Sequence, residues 1–216
     1  MSDAARIAHI DGARAVVIVR WVLGVQCLLS GLNWWFRILP FPNILDPVGG
    51  PMKHQVIAAM IATGWMFSAA KIVEILVGVA LLANRFAVLI LVVAFPILMT
   101  TFLLDAIPFG RAAVGFAAGQ VTGANLWAAF LDMIFFGGAV FLMQGHLMIE
   151  WFGNYRQLFT PTPDAAVPDR GWSCPRAMTV LRWASILIGG ASTVWIVGMV
   201  GQWLIPWSSL AVLAPR

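Results

Sequence analysis

Long apolar runs separated by short polar or proline-containing segments dominate the chain, and they decide its fold class. Five of these runs are long enough to cross the hydrocarbon core of a bilayer, which takes about 20 helical residues. They cover residues 15–36, 55–83, 86–104, 125–149 and 178–205. The pattern predicts an all-α membrane protein in which four antiparallel transmembrane helices form a bundle and a fifth transmembrane helix follows.

The segments between the runs predict the domain organisation. Residues 105–124 are rich in Gly and Ala and only mildly polar, so we expect a loop that lies in the interface or re-enters the membrane. Residues 154–177 contain four prolines and several charges, which is typical of a solvated linker. We therefore predict a four-helix bundle over 1–153, a cytoplasmic linker over 154–177, and a fifth helix with a short outer tail over 178–216.

The composition agrees with lipid as the main solvent. Hydrophobic residues make up 61% of the chain and charged residues 10%, whereas a soluble domain carries about 25% charged residues. The formal net charge of +4 comes from Arg residues at the ends of apolar runs, which is how membrane topology is encoded. Because no basic stripe with interleaved aromatic residues is present, binding to nucleic acid is not expected.

The distribution of Lys and Arg predicts the orientation. With the N-terminus in the cytoplasm, eight cations lie on the cytoplasmic side and four on the outer side, with Lys71 inside a span. The eight are Arg6, Arg14, Arg20, Arg85, Arg156, Arg170, Arg176 and Arg182, and the four are Arg37, Lys53, Arg111 and Arg216. We expect a multi-pass protein of the bacterial inner membrane with a cytoplasmic N-terminus and a periplasmic C-terminus.

Lys71 and Glu74 are the clearest ionisable groups at membrane depth. They stand three residues apart in the second run, so they share a helix face and can pair. Two interpretations are open: an ion pair that fixes helix packing, with Arg20 reaching Glu74 from the first span, or a proton or ligand site that faces the bundle interior.

Four further polar residues map to the outer half of the bundle, namely Asn33, Asp105, Asn125 and Asp132. They are candidates for a polar pocket that opens to the periplasm. Asp105 and Asn125 have an alternative as helix-end residues, because short polar side chains cap backbone groups. Asp132 lies two turns inside an apolar helix and is the strongest single candidate.

The remaining titratable residues do not predict a reaction. His9, His54 and His146 fall on both sides of the membrane, so no metal cluster is expected. We expect His146 to be interfacial, with axial ligation of a haem or chlorophyll as the alternative. The sequence contains no HExxH, CxxCH, GxSxG or phosphate-loop motif, and no catalytic or metal-binding residue is predicted.

Small residues predict close helix packing in the last span. Gly189, Gly190 and Gly198 give this helix a face on which another backbone can approach. Because the linker does not force the helix against the fourth span, we expect this face to serve docking on a partner subunit.

Two segments resemble the DoxX-like family of small integral membrane proteins. One is Ser30-Gly31-Leu32-Asn33-Trp34-Trp35-Phe36, and the other runs from Lys71 through Glu74 and Gly78 to Leu82, followed by Asn84-Arg85. With Asn125 at the head of the fourth span, the resemblance covers roughly residues 15–150. It implies a four-helix core and a place beside quinone-linked oxidoreductases, but no active-site residues.

Two functional hypotheses follow. The first is a non-catalytic accessory subunit of a larger membrane electron-transfer complex, respiratory or photosynthetic, that contacts lipid and other membrane subunits and needs no cofactor. The alternative is a protein that handles a quinone or small solute through the intramembrane Lys, Glu and Asp groups, and contact with a quinone, lipid or chlorophyll-type pigment stays open.

Overall fold

The computed structural model describes residues 3–37, 51–159 and 175–204, and all regular structure in these ranges is helical. The helices are α1 (Asp3–Phe36), α2 (Pro51–Ala62), α3 (Met66–Ala83), α4 (Ala87–Ala117), α5 (Gly123–Met133), α6 (Ala139–Glu150), α7 (Phe152–Phe159) and α8 (Pro175–Leu204). A π-helical turn, Ile134–Gly138, joins α5 to α6 without a break.

Five helical segments of the described chain are long and apolar enough to cross a membrane. They are Ala13–Phe36, Met66–Ala83, Ala87–Ala117, Gly123–Glu150 and Arg176–Gly198. Their outward-facing side chains are largely apolar, and Leu89, Val79 and Val194 are more than half exposed. A soluble protein would not present such a surface, so the prediction of an all-α membrane protein is confirmed.

The bundle has two ends that position all the polar groups below. We call the end at which α1 begins the proximal end; it carries the α3–α4 turn and the last residues of α6. The distal end carries the last turn of α1, the start of α3 and the whole of α2. The α3–α4 turn lies where the sequence predicts it, with Asn84 and Phe86 in the left-handed conformation. The Arg85 N–H closes the end of α3 by donating to the Ala80 carbonyl at 3.0 Å.

The run predicted as one span over 55–83 is two helices, because the chain breaks at Thr63–Trp65. Gly64 adopts a φ of +80°, which only glycine takes without strain. The Thr63 hydroxyl accepts a hydrogen bond from the Met66 N–H at 3.0 Å and so caps α3. The span is therefore Met66–Ala83, and α2 is a separate short helix that packs against α3 and α4.

The interface or re-entrant loop predicted over 105–124 is mostly helix. α4 continues without interruption to Ala117, with Pro96 and Pro108 inside it, and α5 begins at Gly123. Only the turn between them is irregular; Gly119 has a φ of +73° there. Alanine favours helix strongly, and the hydrogen bonds to Asp105 described below hold this region in the bundle.

The helices pack around a core that α1, α3, α4 and α6 share. α1 and α3 approach most closely where Gly31 faces Ile75 and Gly78 faces Leu28. α8 lies against α1, α6 and the π turn, so it belongs to the same bundle as the other spans. Of the predicted linker over 154–177, residues 154–159 continue α7, residues 175–177 belong to α8, and 160–174 lie outside the described residues.

Candidate functional site

Lys71 and Glu74 form an ion pair within α3, close to its distal end. The Lys71 Nζ lies 2.9 Å from Glu74 Oε1 and 2.8 Å from Oε2, and it also donates to the Ser30 hydroxyl of α1 at 3.0 Å. The two side chains are 8% and 12% exposed, so the pair is largely sealed inside the bundle. Glu74 on the same helix thus neutralises the charge of Lys71, and the hydrogen bond to Ser30 connects Lys71 to α1.

Arg20 is far from this pair. A Cβ on Gly24 of α1 would contact Leu81 and Leu82, near the end of α3. Arg20 comes one helical turn before Gly24, so it lies level with the α3–α4 turn at the proximal end. Glu74 lies about ten residues from that turn, or ~15 Å along α3. The predicted contact between Arg20 and Glu74 is therefore not made, and the buried Arg20 Nε has no hydrogen-bond partner among the described residues.

Asp105 is the centre of a second buried charge cluster, at the distal end. Its side chain is fully buried, and its two oxygens have different partners. Lys53 Nζ of α2 lies 2.8 Å from Oδ1, and the Gly137 backbone N–H donates to Oδ2 at 2.9 Å. Lys53 Nζ also lies 5.4 Å from the centre of the Phe136 ring. Asp105 is thus not a helix-end residue but a mid-helix acid that joins α2, α4 and the π turn.

The π turn supplies the backbone groups that its neighbours use. Where a helix widens to π geometry, regular bonding is interrupted and backbone groups become free for other partners. Here the Gly137 N–H binds Asp105, and the Phe135 carbonyl accepts a hydrogen bond from the Ser192 hydroxyl of α8 at 2.6 Å. The Phe135 ring stacks on Trp195 of α8 with centroids 6.1 Å apart. This single turn therefore connects α4 and α8.

The other members of the predicted outer pocket are placed differently from one another. Asn33 and Asp132 are buried in the distal half. Asn125 is exposed in the first turn of α5, where its backbone N–H donates to the Thr122 hydroxyl at 3.3 Å. The helix-end interpretation is the one that fits Asn125.

A third charge cluster lies at the proximal end and was not predicted. Glu150, at the end of α6, binds Arg182 of α8, with Arg182 Nε 2.5 Å from Oε1 and an Arg182 Nη 3.3 Å from Oε2. His146 Nε2 stands 3.4 Å from the same Oε1. The four-residue spacing of His146 and Glu150 places them on one helix face and could have predicted their contact. The sequence did not predict Arg182 as their partner, because we expected α8 to be independent of the bundle.

His146 is fully buried between the helices at the proximal end of the bundle, and its place at the membrane interface stays a prediction. Neither ring nitrogen has a well-formed hydrogen bond to the described residues, and Nε2 faces the Glu150 carboxylate. Axial ligation of a pigment through Nε2 would require this carboxylate to move. Within the described ranges no three His, Cys, Asp or Glu side chains are arranged to hold a metal ion.

Two glutamines link helices in the middle of the bundle, Gln144 fully buried and Gln26 partly buried. Gln144 of α6 donates to the Leu91 carbonyl of α4 at 2.7 Å, and Gln26 of α1 donates to the Thr193 hydroxyl of α8 at 2.6 Å. Polar side chains commonly hydrogen-bond across helices in this way within membranes. The Gln26 bond and the Arg182–Glu150 pair together hold α8 at its middle and near its proximal end.

The three glycines of the predicted packing face do not act together. A Cβ on Gly189 would collide with Met143 of α6, so this glycine serves packing within the chain. A Cβ on Gly190 or Gly198 would meet no atom within 4 Å. Of these three glycines, Gly189 alone makes the predicted close approach, and it does so to another helix of the same chain.

Tyr155 of α7 closes the proximal end, just outside the membrane-spanning segments. Its hydroxyl donates to the Val88 carbonyl at the start of α4, at 2.9 Å. Burial raises the pKa of Tyr155 to about 12, because the charged phenolate would lose its water.

The polar groups thus form three inter-helix clusters rather than one open pocket. In each of them a carboxylate meets a cation, so the clusters can fix helix positions and hold protons. Compared with protein-family models, with curated proteins and with solved structures, the chain matches none of them.

Proposed function

We propose that the protein is a non-catalytic subunit of a larger membrane complex of the electron-transfer type, in the bacterial inner membrane with its N-terminus in the cytoplasm. The class of complex comes from the DoxX-like resemblance, which stays a prediction. What supports a subunit role is the distal hairpin, defined as residues 106–132 of α4, α5 and their turn, because the hydrocarbon core of a bilayer does not cover it.

The hairpin extends beyond the hydrocarbon core of a bilayer. α4 has 31 residues and α3 has 18, which correspond to about 46 Å and about 27 Å. From Arg85 at the proximal end to Asp105 is about 30 Å by the same rise, which is the thickness of the hydrocarbon core. The 12 residues of α4 after Asp105 therefore reach ~18 Å further.

Tilt does not bring the hairpin back into the hydrocarbon. Fitting 46 Å into 30 Å needs a tilt of roughly 50°, outside the usual range of 0–40°. α3 packs along α4, and at that tilt it would span only about 17 Å, too little to cross. The two helices fit one bilayer only if the hairpin projects.

The projecting surface is apolar. Val114 is 72% exposed and Trp127 is 60% exposed. Ile107 and Phe116, on the same helix as Val114, are exposed as well. Inside the hairpin, Phe130 packs against Phe109 and Trp127. Exposed apolar surfaces mark contacts with proteins or with membranes. Because the hydrocarbon core ends near Asp105, we assign this surface to another membrane subunit that projects on the same side.

The charge clusters support a structural rather than a transport role. Lys71, Asp105 and Arg182 each have an oppositely charged partner within 3 Å in the same chain. Such pairs hold helices in place without a ligand. The alternative, handling of a quinone or small solute, is favoured by one observation: the burial of Asn33, Asp105 and Asp132 together in the distal half.

Photocrosslinking in native membranes tests the subunit role. A photoreactive residue at Val114 or Phe116 is compared with one at Leu89 or Val92, which face outward on the same helix within the hydrocarbon. We expect the hairpin positions to give one discrete protein adduct and the control positions to give lipid adducts. Lipid adducts at all four positions would contradict the proposal, and stoichiometric quinone on a lone purified chain would favour the alternative.

A further inference from the structure

The proximal cluster places two groups in competition for one carboxylate oxygen. Glu150 Oε1 accepts the hydrogen bond from Arg182 Nε, and His146 Nε2 lies 3.4 Å from the same atom. With His146 neutral, Glu150 and Arg182 balance each other in charge and tie the beginning of α8 to the end of α6. A proton on His146 would leave two cations and one carboxylate.

The two cations differ in what they can do without Glu150. His146 is fully buried and neither ring nitrogen has a well-formed hydrogen bond to the described residues, so a protonated ring would be a buried charge that depends on Glu150 as its counterion. The Arg182 side chain is 25% exposed, and a long arginine at a helix end can extend to the membrane surface and to water. When both are charged, Arg182 is therefore the cation that can give up its bond to Glu150.

We propose that His146 is a proton-operated switch: on taking up a proton it draws Glu150 away from Arg182 and releases the first turns of α8 from α6. The distal two-thirds of α8 stay in place, because Thr193 is bound to Gln26 and Ser192 to the Phe135 carbonyl. The movement is thus a local opening at the proximal end.

The other charged side chains described at this end of the bundle are cations: Arg14 of α1, Arg85 of the α3–α4 turn and Arg176 of α8 are exposed to solvent. From α1, Arg20 lies at the same level, since Gln26 contacts Gly189 seven residues beyond Arg182. From α4, the ionisable residues are Asp105 and Arg111, both in the distal part. From α7, Tyr155 is engaged with Val88. Arg20 adds positive charge at this level and supplies no acid that would compete with Glu150.

Hydrogen–deuterium exchange of the full chain in lipid nanodiscs tests the switch. Segment 176–184 is the reporter and segment 190–198 is the internal control, with rates corrected for the intrinsic effect of pH. We expect acidification to speed exchange of the reporter at least tenfold and to leave the control unchanged. His146→Gln should abolish the acid response, and Arg182→Gln should give fast reporter exchange at every pH. An acid response that persists in His146→Gln, or no response in the parent, would overturn the proposal.

A second measurement keeps the test valid if a variant folds poorly. The chain has three histidines, so ¹⁵N-histidine labelling gives three resolvable sets of ring signals, and His9→Asn with His54→Asn leaves His146 alone. We expect His146 to change to its protonated form over the pH interval in which reporter exchange accelerates. A ring that stays neutral throughout that interval would show that another group drives the opening.

Discussion

At the residue scale, the ionisable side chains inside the bundle depend on the partners they find. Lys71 is tolerated because Glu74 and Ser30 bind its ammonium group. Sequence spacing predicts the first contact, since residues three apart share a helix face. It could not predict Lys53 with Asp105, which are 52 residues apart and meet only because α2 folds back on the bundle.

Removal of one member of the Lys71–Glu74 pair should destabilise the protein more than removal of both. Lys71→Met or Glu74→Gln leaves a buried charge without its counterion, a loss on the order of 3–5 kcal/mol, whereas the double variant leaves none. Unfolding in mixed detergent micelles measures the three free energies. Single variants as stable as the parent would mean that these side chains reach water.

Tyr155 should titrate abnormally late. Its pKa of about 12 in the folded protein exceeds the ordinary value of 10.0, so the folded chain holds the phenolic proton more tightly than the unfolded one. The stabilisation is complete below about pH 10 and is lost as the pH rises through about 12. Tyr155 is the single tyrosine, so near-ultraviolet absorbance of the phenolate reports it directly. A midpoint near 10 in the folded protein would show that Tyr155 is solvated.

At the element scale, the π turn is the feature with the most connections. Gly137 packs against α4 so closely that a Cβ would lie 2.7 Å from Asp105 Oδ2 and 2.8 Å from the Phe102 Cα. We expect Gly137→Ala to cost about 1–3 kcal/mol, because backbone rather than a flexible side chain must move. Gly145→Ala on α6 is the matched control, since its Cβ would meet nothing within 4 Å. Equal stability of both variants would contradict the close packing.

α8 is an integral element of the bundle, which changes the expected effect of its removal. Truncation after Tyr155 uncovers Met143, Gln26 and the Glu150 carboxylate, which α8 now contacts. We expect the truncated chain to unfold at a clearly lower detergent concentration than the parent, instead of leaving an unaffected four-helix core. If the truncated chain were as stable as the parent, the prediction of an independent fifth helix, made from the linker, would be supported instead.

At the scale of the whole molecule, apolar runs predict the number of spans, but their lengths depend on tertiary contacts. The break at Gly64 lies inside an apolar run, and α4 continues past Asp105 into a mildly polar segment that predicted a loop. In the first case a capping threonine and a left-handed glycine end the helix locally. In the second, Lys53 and the Gly137 N–H satisfy the carboxylate that suggested a helix end.

The orientation stays a prediction that accessibility in intact cells can test. Gln120 at the tip of the distal hairpin and Asn154 at the proximal end are both exposed. In a background without Cys27 and Cys174, a membrane-impermeant maleimide should label Gln120→Cys directly and Asn154→Cys only after permeabilisation, because the cation bias places the proximal end inside. Labelling of Asn154→Cys in intact cells would reverse the orientation.

Of the three ion pairs described above, one lies within a single helix and two join different helices, and this difference has a consequence for biosynthesis. Lys71 and Glu74 lie on one helix, so α3 can enter the translocon as an electrically neutral segment before any other span is available. Lys53 of α2 pairs with Asp105 of α4, which is synthesised later, and Arg182 of α8 pairs with Glu150 of α6, which is synthesised earlier. Each pair can form only after the second of its two helices has been made. The Lys53–Asp105 pair therefore cannot form until α4 has been synthesised as far as Asp105. The order in which ribosome-bound chains of increasing length become protected should follow this sequence.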